Sequence, residues 1–429
     1  MKEEKLGFDT LMIHAGQSPD SETLSVAPPI YQTTAYAFKS VEHAQNLFEL
    51  KEAGNIYTRL QNPTNDILEK RVAALDGGVG AVVTASGHSA MFMTFVNLCN
   101  TGDELVSSIC IYGGAINMMG ISLSKLGINV KFVDPDDFDA WEQAITPKTR
   151  ALFVEGVGNP HANVADIETL ATIAHRHGIP LIVDSTFTTP YLLRPIEWGA
   201  DIVIHSATKF LGGHGTSMSG VVVDSGNFTW LDNPRFPDFN TPDPGYHGIV
   251  YAKNFGSQAF IAKLRVHIMR DYGACASPFN SFMILQGIET LSLRMKRHSE
   301  SALKIAEYLN SNPLVDYVNY PALANNKYKI LCEKYLTNGC GGVLTFCLKG
   351  NRETGAKFIE GLKIFANVAN VGDVRSLVIH PATTTHSQLS DSQLEKSGIT
   401  PSTIRLSVGL EDVNDLIEDL EQAIKSACR

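Results

Sequence analysis

Long apolar runs, paired cysteines, a glycine-rich nucleotide fingerprint and basic blocks are all missing from this sequence. No stretch approaches the roughly eighteen apolar residues that a membrane helix needs. The amino end, Met1-Lys-Glu-Glu-Lys-Leu-Gly7, is charged and has no apolar core of the kind a secretory signal carries. The seven cysteines (Cys99, Cys110, Cys275, Cys332, Cys340, Cys347, Cys428) are scattered and odd in number, and none forms a C-x-x-C pair. That speaks against a zinc ribbon or a redox motif and for reduced thiols. With 35 basic and 45 acidic side chains the net charge is −10, and without a Lys/Arg cluster a nucleic-acid footprint is not expected. G-x-G-x-x-G is absent as well, which weakens the case for a dinucleotide-dependent oxidoreductase. A soluble, cytoplasmic protein is the expectation.

What is present is an ordinary globular composition, 44% hydrophobic and 19% charged over 429 residues, enough for two or three domains. Residues 1–62 lack sustained periodicity and read as an extended arm that lies on something else, such as another subunit. From 63 to 270 short apolar runs alternate with helical patterns. The strand candidates are 81–84, 104–107, 129–133, 150–154, 180–183, 201–204 and 220–223, and a helix runs from Asp166 to His177. Such alternation predicts an α/β domain with a mostly parallel seven-stranded sheet flanked by helices. Ligands of such sheets bind beyond the carboxyl ends of the strands. Residues 226–256 interrupt the pattern with a proline-rich, aromatic insertion that reads as an ordered loop. Residues 271–429 predict a smaller α+β domain: one long helix from Pro278 through Leu309, a strand at Val343–Phe346, and helices at 353–362 and 413–427.

The strand ends carry the chemistry. Ile204 leads into His205-Ser-Ala-Thr-Lys-Phe-Leu-Gly-Gly-His-Gly215, placing Lys209 where burial can lower an amine's pKa and make it a Schiff-base nucleophile. Position alone favours a surface lysine. Asp184, at the end of the preceding strand, changes the reading, because pyridoxal 5′-phosphate (PLP) enzymes set a carboxylate against the pyridine nitrogen. Asp184 as a helix N-cap stays open. Thr84-Ala-Ser-Gly-His-Ser-Ala90 joins a strand to an apolar helix whose free amides, with Gly87 allowing close approach, suit a dianion. Ser206 and Thr208 add hydroxyls, and Arg59 near Tyr57 suits a phosphate. Tyr112 can stack on a ring and move a proton, although a tyrosine before glycines is more often a packing residue.

Ser206-Ala-Thr-Lys209 with its glycines, Asp184, Tyr57-x-Arg59 with Asn62-Pro63-Thr64, and Arg405-Leu-Ser-Val-Gly-Leu-Glu411 together resemble the cystathionine γ-synthase-like, or Cys/Met-metabolism, family of fold-type I PLP-dependent transferases. The resemblance spans essentially the whole chain. It implies that Lys209 is the Schiff-base lysine and proton carrier, that Asp184 pairs with the pyridine nitrogen, and that Asn159 contacts the ring 3-oxygen. Thr186 is placed against the cofactor and Tyr112 over its ring. The phosphate falls to Ser86, the amides of Gly87 and His88, Ser206, Thr208, and Tyr57 with Arg59 from the adjacent subunit of a homotetramer. Arg405 is implied as the grip on the substrate α-carboxylate.

Within the family, the insertion around Phe236–Gly248, the Ser-Gly-His of 86–88 and Asn370 (where the cystathionine branch usually has serine) resemble the branch that acts on O-acetylhomoserine. That branch implies replacement of acetate by sulfide, a small thiol or a carrier-protein thiocarboxylate to give homocysteine or methionine. Cystathionine synthesis or cleavage and methionine γ-elimination are the alternatives. Methionine γ-lyases usually carry a cysteine where Gly114 stands, which disfavours that reaction. His380 and His386 fit no standard metal spacing, so no metal is expected.

Overall fold

Runs of Val, Ile and Leu covered on both faces make the central strands. The computed structural model describes residues 6–384, 400 and 402–428. Seven strands, β1 (Gly80–Thr84), β2 (Glu104–Ser108), β3 (Asn129–Val133), β4 (Thr149–Glu155), β5 (Leu181–Asp184), β6 (Ile202–His205) and β7 (Gly220–Asp224), form one sheet in the order β1-β7-β6-β5-β4-β2-β3. Each coincides with a predicted strand to within a residue or so. β3-β2-β4-β5-β6 pair in parallel, and β7 runs against both of its neighbours. Across β4 and β5 Glu155 is the register partner of Asp184, so two acidic residues end adjacent strands at the ligand-binding edge.

Caps set where the flanking helices start. The Asn62 side chain accepts from the Thr64 amide and proline follows it, so Pro63–Asp76 begins there, and it stops at Gly77, whose φ is +80°. Asp166 caps Ile167–Arg176 by accepting from the Thr169 amide, with His175 and Arg176 in the last turn beside the negative end of the helix. Ser86 caps Gly87–Leu98.

A second, five-stranded sheet follows, ordered β10 (Ala366–Asn367), β11 (Leu377–Ile379), β12 (Thr403–Ser407), β9 (Val343–Leu348), β8 (Val315–Asn319). Its helices Arg352–Gly361 and Val413–Ala427 lie where they were expected. The stretch predicted as one long helix is two, Pro278–Ile288 and Leu291–Ser311. Gly287 packs on the loop after Lys209 so closely that a Cβ there would lie 2.2 Å from the Gly212 carbonyl oxygen. Buried Arg294 then reaches back from the second helix, donating to the carbonyls of Phe210 (2.7 Å), Leu211 (3.1 Å) and Gly287 (2.7 Å). Apolar periodicity runs through the break and conceals it.

Three other expectations need correction or detail. The arm is not extended throughout, because short helices form at Phe8–His14 and Val41–Phe48, the latter capped by Ser40. Cys332 and Cys340 are brought together by the turn at 336–339 and are joined as a disulfide, so the cysteines are not all free thiols. The insertion is ordered by aromatic packing: Trp230 stacks on Phe239 with centroids 4.5 Å apart and also meets Phe228, Phe236 and Phe260. Among the described residues no helix is long and apolar enough to cross a membrane.

Arg294 ties the two halves to the Lys209 loop, and its loss strands three carbonyls. Arg294→Met is expected to destabilise the protein by roughly 3 kcal/mol, read as a lowered urea midpoint. An unchanged midpoint would show that the clasp contributes nothing.

Candidate active site

The carboxyl edge of the large sheet and β12 of the small one enclose a cavity of about 280 Å³. Ser86, Gly87 and His88 line one end, with Ser206 and Thr208. The Ser86 hydroxyl accepts from the Ser89 amide and its carbonyl accepts from that of Ala90. The amides of Gly87 and His88 precede the helical ladder and so can serve an anion. Glycine is required at 87, since a Cβ would lie 2.6 Å from the Ser206 Cβ. The Thr186 hydroxyl accepts from the Ser206 amide (2.8 Å), locking two consecutive strand ends together.

Asp184 also lines the cavity, accepting from the Thr186 amide at 2.9 Å. Burial holds its carboxyl above the usual range. Lys209 donates to Asn370 Oδ1 at 2.5 Å. Burial first, and then the charge of Arg405, bring its amine down to about 8. Gly372, at φ +74°, carries the Asn370 loop over the Lys209 backbone, where a Cβ would lie 2.6 Å from the Phe210 nitrogen. Arg405 points in from the middle of β12 with one nitrogen on Asn159 Oδ1 (2.9 Å) and another on the Asn370 carbonyl (3.1 Å). It is 3% exposed, and burial lowers its guanidinium to about 10. Tyr112 borders the same space, its ring edge-on to His88 with centroids 5.7 Å apart.

Twelve sequence candidates therefore meet in one cavity: Ser86, Gly87, His88, Tyr112, Asn159, Asp184, Thr186, Ser206, Thr208, Lys209, Asn370 and Arg405. Tyr57 and Arg59 do not line it. Tyr57 is exposed, and the Arg59 guanidinium lies 5.0 Å from its ring centroid. His380 is buried and its Nδ1 lies 2.9 Å from the Thr383 hydroxyl, while His386 falls outside the described residues. Glu155, Phe187, Met91 and Met218 also line the cavity and were not singled out in the sequence. Glu155 could have been flagged as a strand-end acid beside Asp184. The free amides of Gly87 and His88 beside the Ser206 and Thr208 hydroxyls, the amine of lowered pKa and the buried carboxyl are a donor set that fits PLP.

Only the neutral amine attacks a carbonyl, so trapping of Lys209 by a small aldehyde and borohydride should rise with pH through a midpoint near 8. Arg405→Leu removes the neighbouring cation and should move that midpoint upward. A wild-type midpoint at the ordinary lysine value, or no shift in the variant, would contradict the electrostatic account.

Comparison with known proteins agrees with this geometry. The family model for the Cys/Met metabolism PLP-dependent enzymes matches residues 9–425. An O-acetyl-L-homoserine sulfhydrylase of Leptospira meyeri is 49% identical over 97% of this chain and 96% of its own. A homocysteine synthase of Schizosaccharomyces pombe is 48% identical over the whole of both. A Campylobacter jejuni protein described as an O-acetylhomoserine (thiol)-lyase, whose crystal structure contains a pyridoxyl-lysine monophosphate, superposes with a TM-score of 0.96 at 42% identity, covering 98% of this chain and 100% of that one. On a match that runs nearly from end to end, this chain belongs to the PLP-dependent enzymes of cysteine and methionine metabolism.

Proposed function

We propose that this enzyme replaces the acetate of O-acetylhomoserine with sulfide to give homocysteine. The observation that carries the reading is full-length identity of 48–49% to relatives named for that reaction and its product. Gly114 supports it over methionine γ-elimination, whose enzymes usually carry a cysteine there: a Cβ at 114 would lie 2.5 Å from the Tyr112 ring, so the ring would have to move to admit one.

In the reaction the Cγ–O bond breaks, acetate leaves with its electron pair, and a Cγ–S bond forms to hydrosulfide. Bound PLP supplies an electron sink that makes the substrate Cα and Cβ protons removable. The chain's residues do the rest. Lys209, poised near neutral pH, accepts and returns the protons, and Asn370 aims its nitrogen. Arg405, fixed by Asn159 and Asn370, offers its planar fork to the α-carboxylate. Asp184 would supply fixed negative charge to the ring nitrogen, Asn159 would contact the ring oxygen, and Thr186 would lie against the ring. Tyr112 would cover the ring face, and Ser86, Gly87, His88, Ser206 and Thr208 would hold the phosphate.

Tyr57 and Arg59 complete that phosphate site from a neighbouring subunit, in a homotetramer of site-sharing dimers. The chain divides into an arm (1–62), a cofactor domain (63–270) and a smaller domain (271–429), and it works in the cytoplasm on a free amino acid.

Purified enzyme given O-acetylhomoserine and sulfide is expected to form homocysteine, and Lys209→Ala to lose turnover by at least a thousandfold. Turnover on cystathionine or methionine alone, with none on O-acetylhomoserine, would favour the sister reactions. Mixing inactive Lys209→Ala with inactive Arg59→Ala subunits should restore part of the activity if sites are shared. Mixtures that remain inactive after subunit exchange would rule out that assignment.

A further inference from the structure

Glu155 has no part in the chemistry above, yet both of its carboxylate oxygens are engaged in the cavity wall. Oε1 accepts the Tyr112 amide at 2.7 Å and Oε2 accepts the Asn159 amide at 2.9 Å. These amides belong to different loops, one after β2 and one after β4. The loops are in tight contact: a Cβ on Gly158 would lie 2.6 Å from the Cys110 carbonyl oxygen and 2.2 Å from Asn163 Oδ1. Asn159 in turn accepts from Arg405 through its side chain at 2.9 Å. One buried carboxyl thus connects the backbone of the tyrosine, the backbone of the asparagine and, through the latter, the arginine.

The location is costly. Glu155 is 9% exposed and stands in register beside Asp184. Burial, and then the charge of Asp184, push its carboxyl well above the ordinary range. Two amides on separate loops, met by two different oxygens, call for a side chain with an acceptor on each of two arms, which is the form of a carboxyl group.

We propose that Glu155 is a positioning residue that sets Tyr112 and Asn159 at a fixed separation and, through Asn159, orients Arg405. The inference rests on the reading that these three residues contact cofactor and substrate. In Glu155→Gln one arm becomes an NH₂ group facing an N–H donor, so one of the two loops is released.

In the wild-type holoenzyme, hydrogen exchange should find both the Tyr112 and Asn159 amides protected. In E155Q at least one should exchange about tenfold faster, as expected for one lost buried hydrogen bond. The substrate-free visible circular dichroism of the cofactor band should fall severalfold while the cofactor stays attached. The KM for O-acetylhomoserine should rise about tenfold, more than kcat falls, because the arginine clamp loosens. Wild-type dichroism, exchange and KM in folded E155Q would overturn the proposal. If E155Q does not fold, E155D, too short to reach both loops, is subjected to the same measurements with the same overturning result. Unprotected Tyr112 and Asn159 amides in the wild type would overturn it whatever the variants do. Exchange and dichroism are read without substrate, so an error in the assigned reaction shows only in the product assay and leaves this test intact.

Discussion

Two carboxyl groups, an amine and a guanidinium share one small cavity, and the rest of the molecule is arranged to make that tolerable. Lys209 and Arg405 are pushed down by burial, Asp184 and Glu155 are pushed up, and each is held by a specific partner. Unpaired charge in such a place would cost several kcal/mol per group. Here Lys209 finds Asn370, Arg405 finds Asn159 and the Asn370 carbonyl, Asp184 finds Thr186, and Glu155 finds two amides. Bound PLP would complement the arrangement, offering a dianion that suits the helix amides and a basic nitrogen that suits a buried carboxylate.

The two sheets meet for this reason. Lys209, Asp184 and Glu155 come from strand ends of the large sheet, and Arg405 comes from the centre of the small one. A strand interior fixes the arginine's direction more firmly than a loop could. The loop bearing Asn370 is pressed against Lys209 by a glycine in the left-handed region, and Arg294 clasps the residues just beyond the lysine. The chemistry therefore depends on contacts that are themselves chemically inert.

Much of this was legible in the sequence. Continuous apolar strands separated by helices fixed the sheet and hence the edge to search, and Lys209 and Asp184 stood out because they follow successive strands. What stayed hidden was long-range or short-lived in pattern. The break at Glu289–Thr290 leaves helical periodicity intact, and the packing of nearby Gly287 on a distant backbone has no signature in local sequence. The helices of the arm are too short to show a period. Cys332 and Cys340 meet through a turn, which cysteine spacing did not suggest. Glu155 shows in the sequence only as an acid at a strand end, and its bond to the Tyr112 amide, 43 residues away, leaves no mark there.

Lysine acidity alone does not define the site. Lys263 is more deeply buried than Lys209 and is also lowered to about 8, but it donates to the Asn97 carbonyl at 2.7 Å and lies 4.7 Å from the Phe239 ring centroid, away from Asp184 and Arg405. Geometry, and not pKa, distinguishes the two. Borohydride reduction of the purified holoenzyme followed by peptide mass mapping tests this most directly. The account predicts a single pyridoxyl phosphate mass on the peptide containing Lys209, and the same mass on Lys263 or any other lysine, with Lys209 unmodified, would contradict it.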